Sequence, residues 1–389
     1  MKRATRSLPA AVLAAATLVL ASCASDAGSD GGGSAPAGAA ETVTFGVSGP
    51  LTGDQAQYGE DWQRGFDLAM EEINAGDGPD VAVDFQDSQG EASQATSIAQ
   101  RFVSDEDVLA VMGDFSSATS MVASPIYQRS GLLQLGITNS HPEFTDTGDF
   151  VFSPSITQEV EGRVLQDGVA ATAGSVAVFY LNTDWGNAAF EVFADQAEAN
   201  GTDIVYSTPV EESSTDFRPQ LVSARDSGAE SLAFLTYYNT TALLVQQAAG
   251  AGLGDTPKIA VGSNYSSEFL DLAGDAATGT FVETAFFPGS SDPEVQRFVA
   301  AFEERHGVQP NQFAAFAYDG LKQLYWAYGE SDGTREGLRD ALRDGEDIPS
   351  VIFGPFSYNA DRRIDDPTFT WLEVQDGAFV ETDALAVAG

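Results

Sequence analysis

From residue 43 onward the apolar positions alternate between two periods. Val43, Phe45 and Val47 recur at every second residue, the spacing of a strand, and Trp62, Phe66, Ala69, Met70 and Ile73 then follow steps of three and four, the stripe of an amphipathic helix. The alternation persists: 81–85 reads as a strand, 95–103 as a helix, and 108–112 as the continuous apolar run of a buried strand. Further helices are predicted over 117–128, 159–173, 188–199, 217–226 and 241–251, with strands over 132–137, 176–181, 204–210, 231–236 and 259–262. A long aromatic helix is predicted over 313–329, and short strands such as 368–374 follow it. This succession implies an α/β protein with open, mostly parallel sheets covered by helices on both faces. So many strands exceed one comfortable sheet, so two doubly wound, Rossmann-like lobes are expected. In such sheets ligands sit beyond the carboxyl ends of the strands, so the loops that follow strands are the ones to inspect.

The start of the 389-residue chain obeys a different pattern. Lys2, Arg3 and Arg6 precede an almost wholly apolar run from Leu8 to Leu20, too short to span a bilayer comfortably and therefore read as an export signal over 1–22. Leu20-Ala21-Ser22-Cys23 closes the run and resembles the bacterial lipobox, which implies that Cys23 is lipidated and anchors the mature chain to a membrane. Cys23 is the single cysteine, so no disulfide can form within one chain. Residues 24–40 lack any hydrophobic period and read, with Cys23, as a flexible tether; 17 such residues reach about 20–25 Å. Loss of the three leader cations takes the net charge from −40 to −43 and leaves Lys258 and Lys322 as the only lysines, which excludes nucleic acid as a partner. A solvated surface that keeps an exported protein soluble accounts for the acid excess, and a high-salt habitat would suit it equally.

Three loops follow predicted strands and carry hydroxyl or aromatic groups. Gly49-Pro50-Leu51-Thr52-Gly53 leads through Tyr58-Gly59 into the first helix, without the Gly-Lys-Ser/Thr of a phosphate loop or the glycine spacing of a dinucleotide fingerprint. Tyr58 therefore reads as an apolar wall with a hydroxyl tip, or as a tyrosine packing its own loop. Ser116 and Ser117 fall at the start of the helix after the third strand, where hydroxyls and free N–H groups suit a carboxylate, although a plain N-cap serves as well. Thr138 follows the next strand, so Ser117 and Thr138 converge on one anion if those strands are neighbours.

Phe45-Gly46-Val47, Gly49 to Gly53, Tyr58-Gly59, Gly113 to Ser117, Ile137-Thr138-Asn139, Asp184-Trp185-Gly186, Tyr318-Asp319-Gly320 and Gly354-Pro355-Phe356 occur in order with suitable spacing. Together they resemble the branched-chain amino-acid-binding (Leu/Ile/Val-binding) family of solute receptors for ABC importers, over nearly the whole chain beyond residue 41. The resemblance implies a type I periplasmic-binding-protein fold with a hinge. It also implies that Ser117 and Thr138, with the backbone of Gly136, hold a ligand carboxylate, and that Tyr58, Trp185, Tyr237 or Tyr238, and Tyr318 form an aromatic wall. Trp185 and Tyr318 could equally be core aromatics. Three crossings between lobes are implied, placing 41–157 plus 285–355 in the first and 158–284 plus 356–389 in the second. The acid that holds a ligand ammonium in leucine-type receptors falls here on Asn264, a weaker partner for a cation. Either Asp319 or Asp184 takes that role, or the ligand lacks an ammonium; amino acids, aromatic or aliphatic carboxylates and amides all remain open.

Catalysis is unmotivated. His141 and His306 are the only histidines, no G-x-S-x-G elbow occurs, and no metal-ligand spacing is present. His306 reads as a solvated helix cap, and His141, close to the carboxylate loop, as a secondary candidate for ligand contact. The expectation is a monomeric, membrane-tethered, exported solute-binding lipoprotein without cofactor or metal, which closes on a small carboxylate-bearing molecule and presents it to ABC permease subunits. A sensor lipoprotein using the same cleft is the alternative.

Overall fold

A computed structural model describes residues 42–385 apart from residue 366; the leader, Cys23 and the tether lie outside the described residues. Strands β1 (Thr42–Gly49), β2 (Asp80–Asp87), β3 (Val108–Gly113), β4 (Leu133–Leu135) and β5 (Val151–Phe152) form one sheet in the order β2-β1-β3-β4-β5, parallel throughout. Helices α1 (Ala56–Asn74), α2 (Ala92–Ser104) and α3 (Ser117–Arg129) connect them. On β3, Ala110 and Met112 join the apolar cluster that includes Trp62 and Phe66 of α1, whereas Val111 joins Phe102 of α2 and Tyr127 of α3. Burial on both faces is why this strand is a continuous apolar run.

The second sheet is built from β6 (Ser175–Leu181), β7 (Asp203–Val210), β8 (Ser231–Leu235), β9 (Lys258–Ala260), β10 (Thr280–Thr284), β11 (Thr370–Gln375) and β12 (Ala378–Glu381). Its order is β12-β11-β10-β9-β8-β6-β7, parallel except at the edge, where β11 runs antiparallel to β10 and β12. Helix α4 (Gln158–Thr172) leads into β6, and α5 (Asp184–Asn200), α6 (Arg218–Asp226), α7 (Tyr238–Ala248) and α8 (Ser267–Ala273) lie between successive strands from β6 to β10. Thr157, Thr183 and Ser266 cap α4, α5 and α8 by accepting a backbone N–H in the first turn.

After β10 come α9 (Pro293–His306), α10 (Gln312–Gly329) and α11 (Arg335–Asp344). These pack on the first lobe: a Cβ on Gly65 of α1 would lie 2.1 Å from the carbonyl oxygen of Ala314, so only glycine lets α1 and α10 approach this closely. Tyr318 is buried in the same interface, with its hydroxyl 2.5 Å from Glu72 and its ring 4.7 Å from that of Phe298. Phe356 bridges to Ile348, Arg363 bridges to Ser153, and the Arg363 guanidinium donates to the carbonyls of Asn139 and His141, so the chain is still bonded to first-lobe loops at residue 363.

Asp319 anchors the segment that follows α11. Its carboxylate accepts from the Ser350 hydroxyl at 2.6 Å and from the N–H groups of Val351 at 2.9 Å and Ile352 at 3.4 Å. Replacing Asp319 by Ala strands these donors, so Asp319→Ala should lower unfolding stability by about 2–4 kcal/mol in denaturant titration while leaving ligand affinity within about twofold.

Candidate ligand-binding site

Because β3 and β4 are neighbours, with Met112 opposite Leu135, their following loops lie side by side. Asp114 fixes the first loop, its carboxylate accepting from Ser48 Oγ at 2.8 Å and from the Phe115 N–H at 2.7 Å. Asn139 stitches the two loops together by donating to the carbonyl of Asp114 at 3.1 Å and to Ser120 Oγ at 2.9 Å. The Thr138 hydroxyl donates to the Phe115 carbonyl at 2.9 Å, whereas Ser117 Oγ accepts from the His141 N–H at 3.3 Å. That difference leaves the Ser117 proton available to an incoming acceptor, while Thr138 must give up an existing bond to offer its own.

Both hydroxyls line a cavity of about 60 Å³ between the lobes, together with Ser140, Ser155 and the rings of Phe115, Trp185, Tyr237, Phe313, Phe316 and Phe369. At roughly 10–15 Å³ per water-sized group this suits a molecule of amino-acid scale and not a sugar chain. Trp185 stacks on Tyr237 with ring centres 5.2 Å apart, and the two reach across to the first lobe, Trp185 Nε1 donating to Ser140 Oγ at 3.0 Å and Tyr237 to Ser116 Oγ at 3.3 Å. Tyr58 lies behind the lining. It stacks on Phe115 at 3.9 Å, donates to the Ser263 carbonyl at 2.9 Å and accepts the Tyr238 N–H at 3.4 Å. Tyr238 turns to the Asp54 carbonyl at 2.9 Å. Tyr58 and Tyr238 therefore serve as cross-lobe contacts that support the lining rings.

Ser117, Thr138, Trp185 and Tyr237 thus meet in one cavity, and the other expected residues do not line it. Gly136 is occupied by the chain itself: its N–H donates to Phe152 and its carbonyl accepts from Ser153. Asn264 points back to the carbonyls of Thr236 and Val261 at 2.9 and 3.0 Å; its neighbour Ser263 is the residue that borders the cavity. Tyr318 is held in the packing of α10 on α1 and α9, and Asp319 is taken up by its bonds to residues 350–352. Asp184 is exposed at the first turn of α5. His141 acts through its backbone N–H, and the His306 ring lies 3.0 Å from the carbonyl oxygen of Arg64.

Two acids that the sequence reading did not single out line the cavity. Glu161, in the first turn of α4, and Glu283, on β10 and 1% exposed, both line the cavity with their carboxyl groups close to each other. Two carboxyl groups so placed, away from any cation, interact at least cost when they share one proton. Gln312, donating to the Gly262 carbonyl and accepting from the Thr284 hydroxyl, completes this wall. The sequence carried a faint signal for Glu283: an acid inside the β-branched and aromatic run Thr280-Phe281-Val282-Glu283-Thr284 that follows Gly279. Glu161 was masked, since an acid in a helix's first turn is explained by the helix dipole alone.

The family model for periplasmic binding proteins matches residues 42–378. The chain belongs to that family. Its fold is the type I form, with two lobes and parallel-dominated sheets. A Leu/Ile/Val-binding protein homolog of Brucella abortus is 26% identical over 353 residues, covering 87% of this chain and 92% of its own. A crystal structure from Rhodospirillum rubrum, assigned to a branched-chain amino acid ABC transporter, is 31% identical, with a TM-score of 0.66 over 88% of this chain and 100% of its own. A Rhodopseudomonas palustris solute-binding protein of an ABC transporter, in complex with benzoate, shares the fold with a TM-score of 0.80 at 19% identity, over 87% of this chain and 95% of its own.

Family members bind small molecules between their lobes, and here the electrostatics of that space are unusual. Burial raises both Glu161 and Glu283 above the ordinary glutamate range, and the mutual repulsion of the pair raises Glu283 further. Burial also pushes Asp319 up to about 7 and Asp61 up to about 6. The folded chain thus holds protons that the unfolded chain releases near pH 4. The stability these groups contribute is complete below that point and is lost as pH climbs through the raised values. The ligand-free protein should therefore melt at a lower temperature at pH 8 than at pH 5. Glu283→Gln, by removing one acid of the pair, should reduce that difference in a pH series of thermal melts.

Proposed function

We propose that this chain is the extracytoplasmic solute-binding lipoprotein of an ABC importer, tethered through Cys23 and capturing a small carboxylate-bearing ligand, an amino acid above all, between its lobes. The observation that carries this reading is the meeting of Ser117 and Thr138 in a ring-lined cavity whose walls come from both lobes. Neutral donors at one edge accept an anion without an Arg or Lys, because aligned hydroxyls and the N-terminus of α3 supply the partial positive charge. Support for an amino acid comes from the names of the Brucella and Rhodospirillum relatives.

The mechanism we assign is hinge closure. The shut form is held by contacts that only juxtaposed lobes can make: Tyr58 to Ser263, Trp185 to Ser140, Tyr238 to Asp54, and Gln55 to Glu212 at 3.2 Å. A ligand touching both walls adds contacts in that form alone and so shifts the population towards it. We place the lobe crossings near residues 157 and 284 and, from the Arg363 contacts, between 364 and 369. The ligand leaves chemically unchanged, and the protein works as a monomer that hands it to the permease.

A thermal-shift screen over amino acids, aromatic acids, short-chain acids and amides should identify a carboxylate-bearing ligand that raises the melting temperature. With that ligand, Ser117→Ala should cost about 2 kcal/mol in calorimetric affinity and Thr138→Val less, because only Ser117 has its proton free beforehand. Unchanged affinity in both variants would refute the assignment.

A further inference from the structure

The cavity has a second polar wall, formed by Glu161 and Glu283 and distinct from the hydroxyl wall of Ser117 and Thr138. We propose that Glu161 and Glu283 together are the cation subsite of this cavity, and that the ammonium group of an amino-acid ligand displaces the proton the two carboxyl groups share. This inference rests on the reading of the hydroxyl wall as the carboxylate anchor.

Three observations carry it. Glu283 Oε2 is buried with no hydrogen-bond donor among the described residues, an expensive arrangement unless a ligand satisfies it. The acids come from different elements, α4 and β10, so their contact is a product of the tertiary fold and not of local sequence. No Lys, Arg or His side chain lines the cavity among the described residues: α5, the loop after β9, α10 and the approach to β11 present Trp185, Ser263, Gln312 and Phe369, and Tyr237 is the other titratable group there. A cation-free enclosure cannot hold two glutamates fully charged, and burial and repulsion keep the shared proton in place.

The charge balance then selects the ligand. A zwitterion offers its carboxylate to Ser117 and Thr138 and its ammonium to the acids; the proton leaves to solvent, and the doubly ionised pair faces one positive charge. A carboxylate without an ammonium, such as benzoate, gives the acids no cationic partner, so the pair must keep its proton. Amino acids are therefore favoured over their deaminated counterparts, and the preference grows as pH rises from 5 to 8, because the proton to be expelled is held less firmly. This geometry also explains how the site dispenses with an acid at Asn264.

The test is isothermal titration calorimetry with L-leucine against 4-methylpentanoate and L-alanine against propionate, in two buffers of different ionisation enthalpy. The wild-type protein should bind at least one amino acid more than tenfold tighter than its deaminated partner, with a buffer-dependent enthalpy that reports proton release. In Glu161→Gln and Glu283→Gln, verified as folded by thermal melting, amino-acid affinity should fall at least tenfold and the proton release should vanish, while affinity for the deaminated acid holds or improves. Equal affinity for both members of each pair, or amino-acid affinity and proton release unchanged in both variants, overturns the cation subsite. If Ser117→Ala still weakens binding in that case, the carboxylate anchor survives. Failure of all four compounds to bind overturns the amino-acid reading along with the subsite.

Discussion

In a parallel sheet every strand delivers its following loop to the same edge, and the site of this protein is a consequence of that geometry. Neighbouring β3 and β4 bring the Ser117 and Thr138 loops within hydrogen-bonding distance of each other, and Asn139 and Asp114 lock them there. The second sheet supplies the opposing edge, with Trp185 after β6, Tyr237 after β8 and Ser263 after β9. Two such edges facing each other enclose a space, and what they enclose is decided by which side chains their loops carry.

That space is lined by both polar groups and rings. The hydroxyls of Ser117 and Thr138 and the carboxyl groups of Glu161 and Glu283 border it together with Phe115, Trp185, Tyr237 and Phe313, and Tyr58 packs on Phe115 and Phe313 from behind. The rings exclude water, which strengthens each polar contact and makes each unpaired group more costly. Site and stability are coupled through the same burial: the acids that shape the electrostatics of the cavity are kept protonated at a cost that rises with pH.

Most of the fold was legible in the chain. The alternation of periods two and three-to-four located β1 to β4, β6 to β9, their helices, α10 and β11, because parallel strands and their crossover helices carry strong, long-lived apolar patterns. Two-residue β5 and edge strand β12, mostly exposed, were silent because short or solvent-facing segments bury too little to impose a period. Strand β10 escaped because its pattern is broken by Glu283, the residue that matters for the site. The motif that singled out Tyr318 and Asp319 carries no information on where they point: Tyr318 meets Glu72 of α1, and Asp319 receives the donors of residues 350–352.

Read alone, the chain determined the α/β class, the strand-following loops and the hydroxyls at two of them, since these follow from local periodicity and from which residue ends each apolar run. Only the tertiary structure decided that Glu161 meets Glu283, that Asn264 turns away and that Tyr58 stands behind the lining. Those outcomes depend on contacts between elements far apart in sequence, 122 residues for the two acids, where no local pattern constrains which side chains converge.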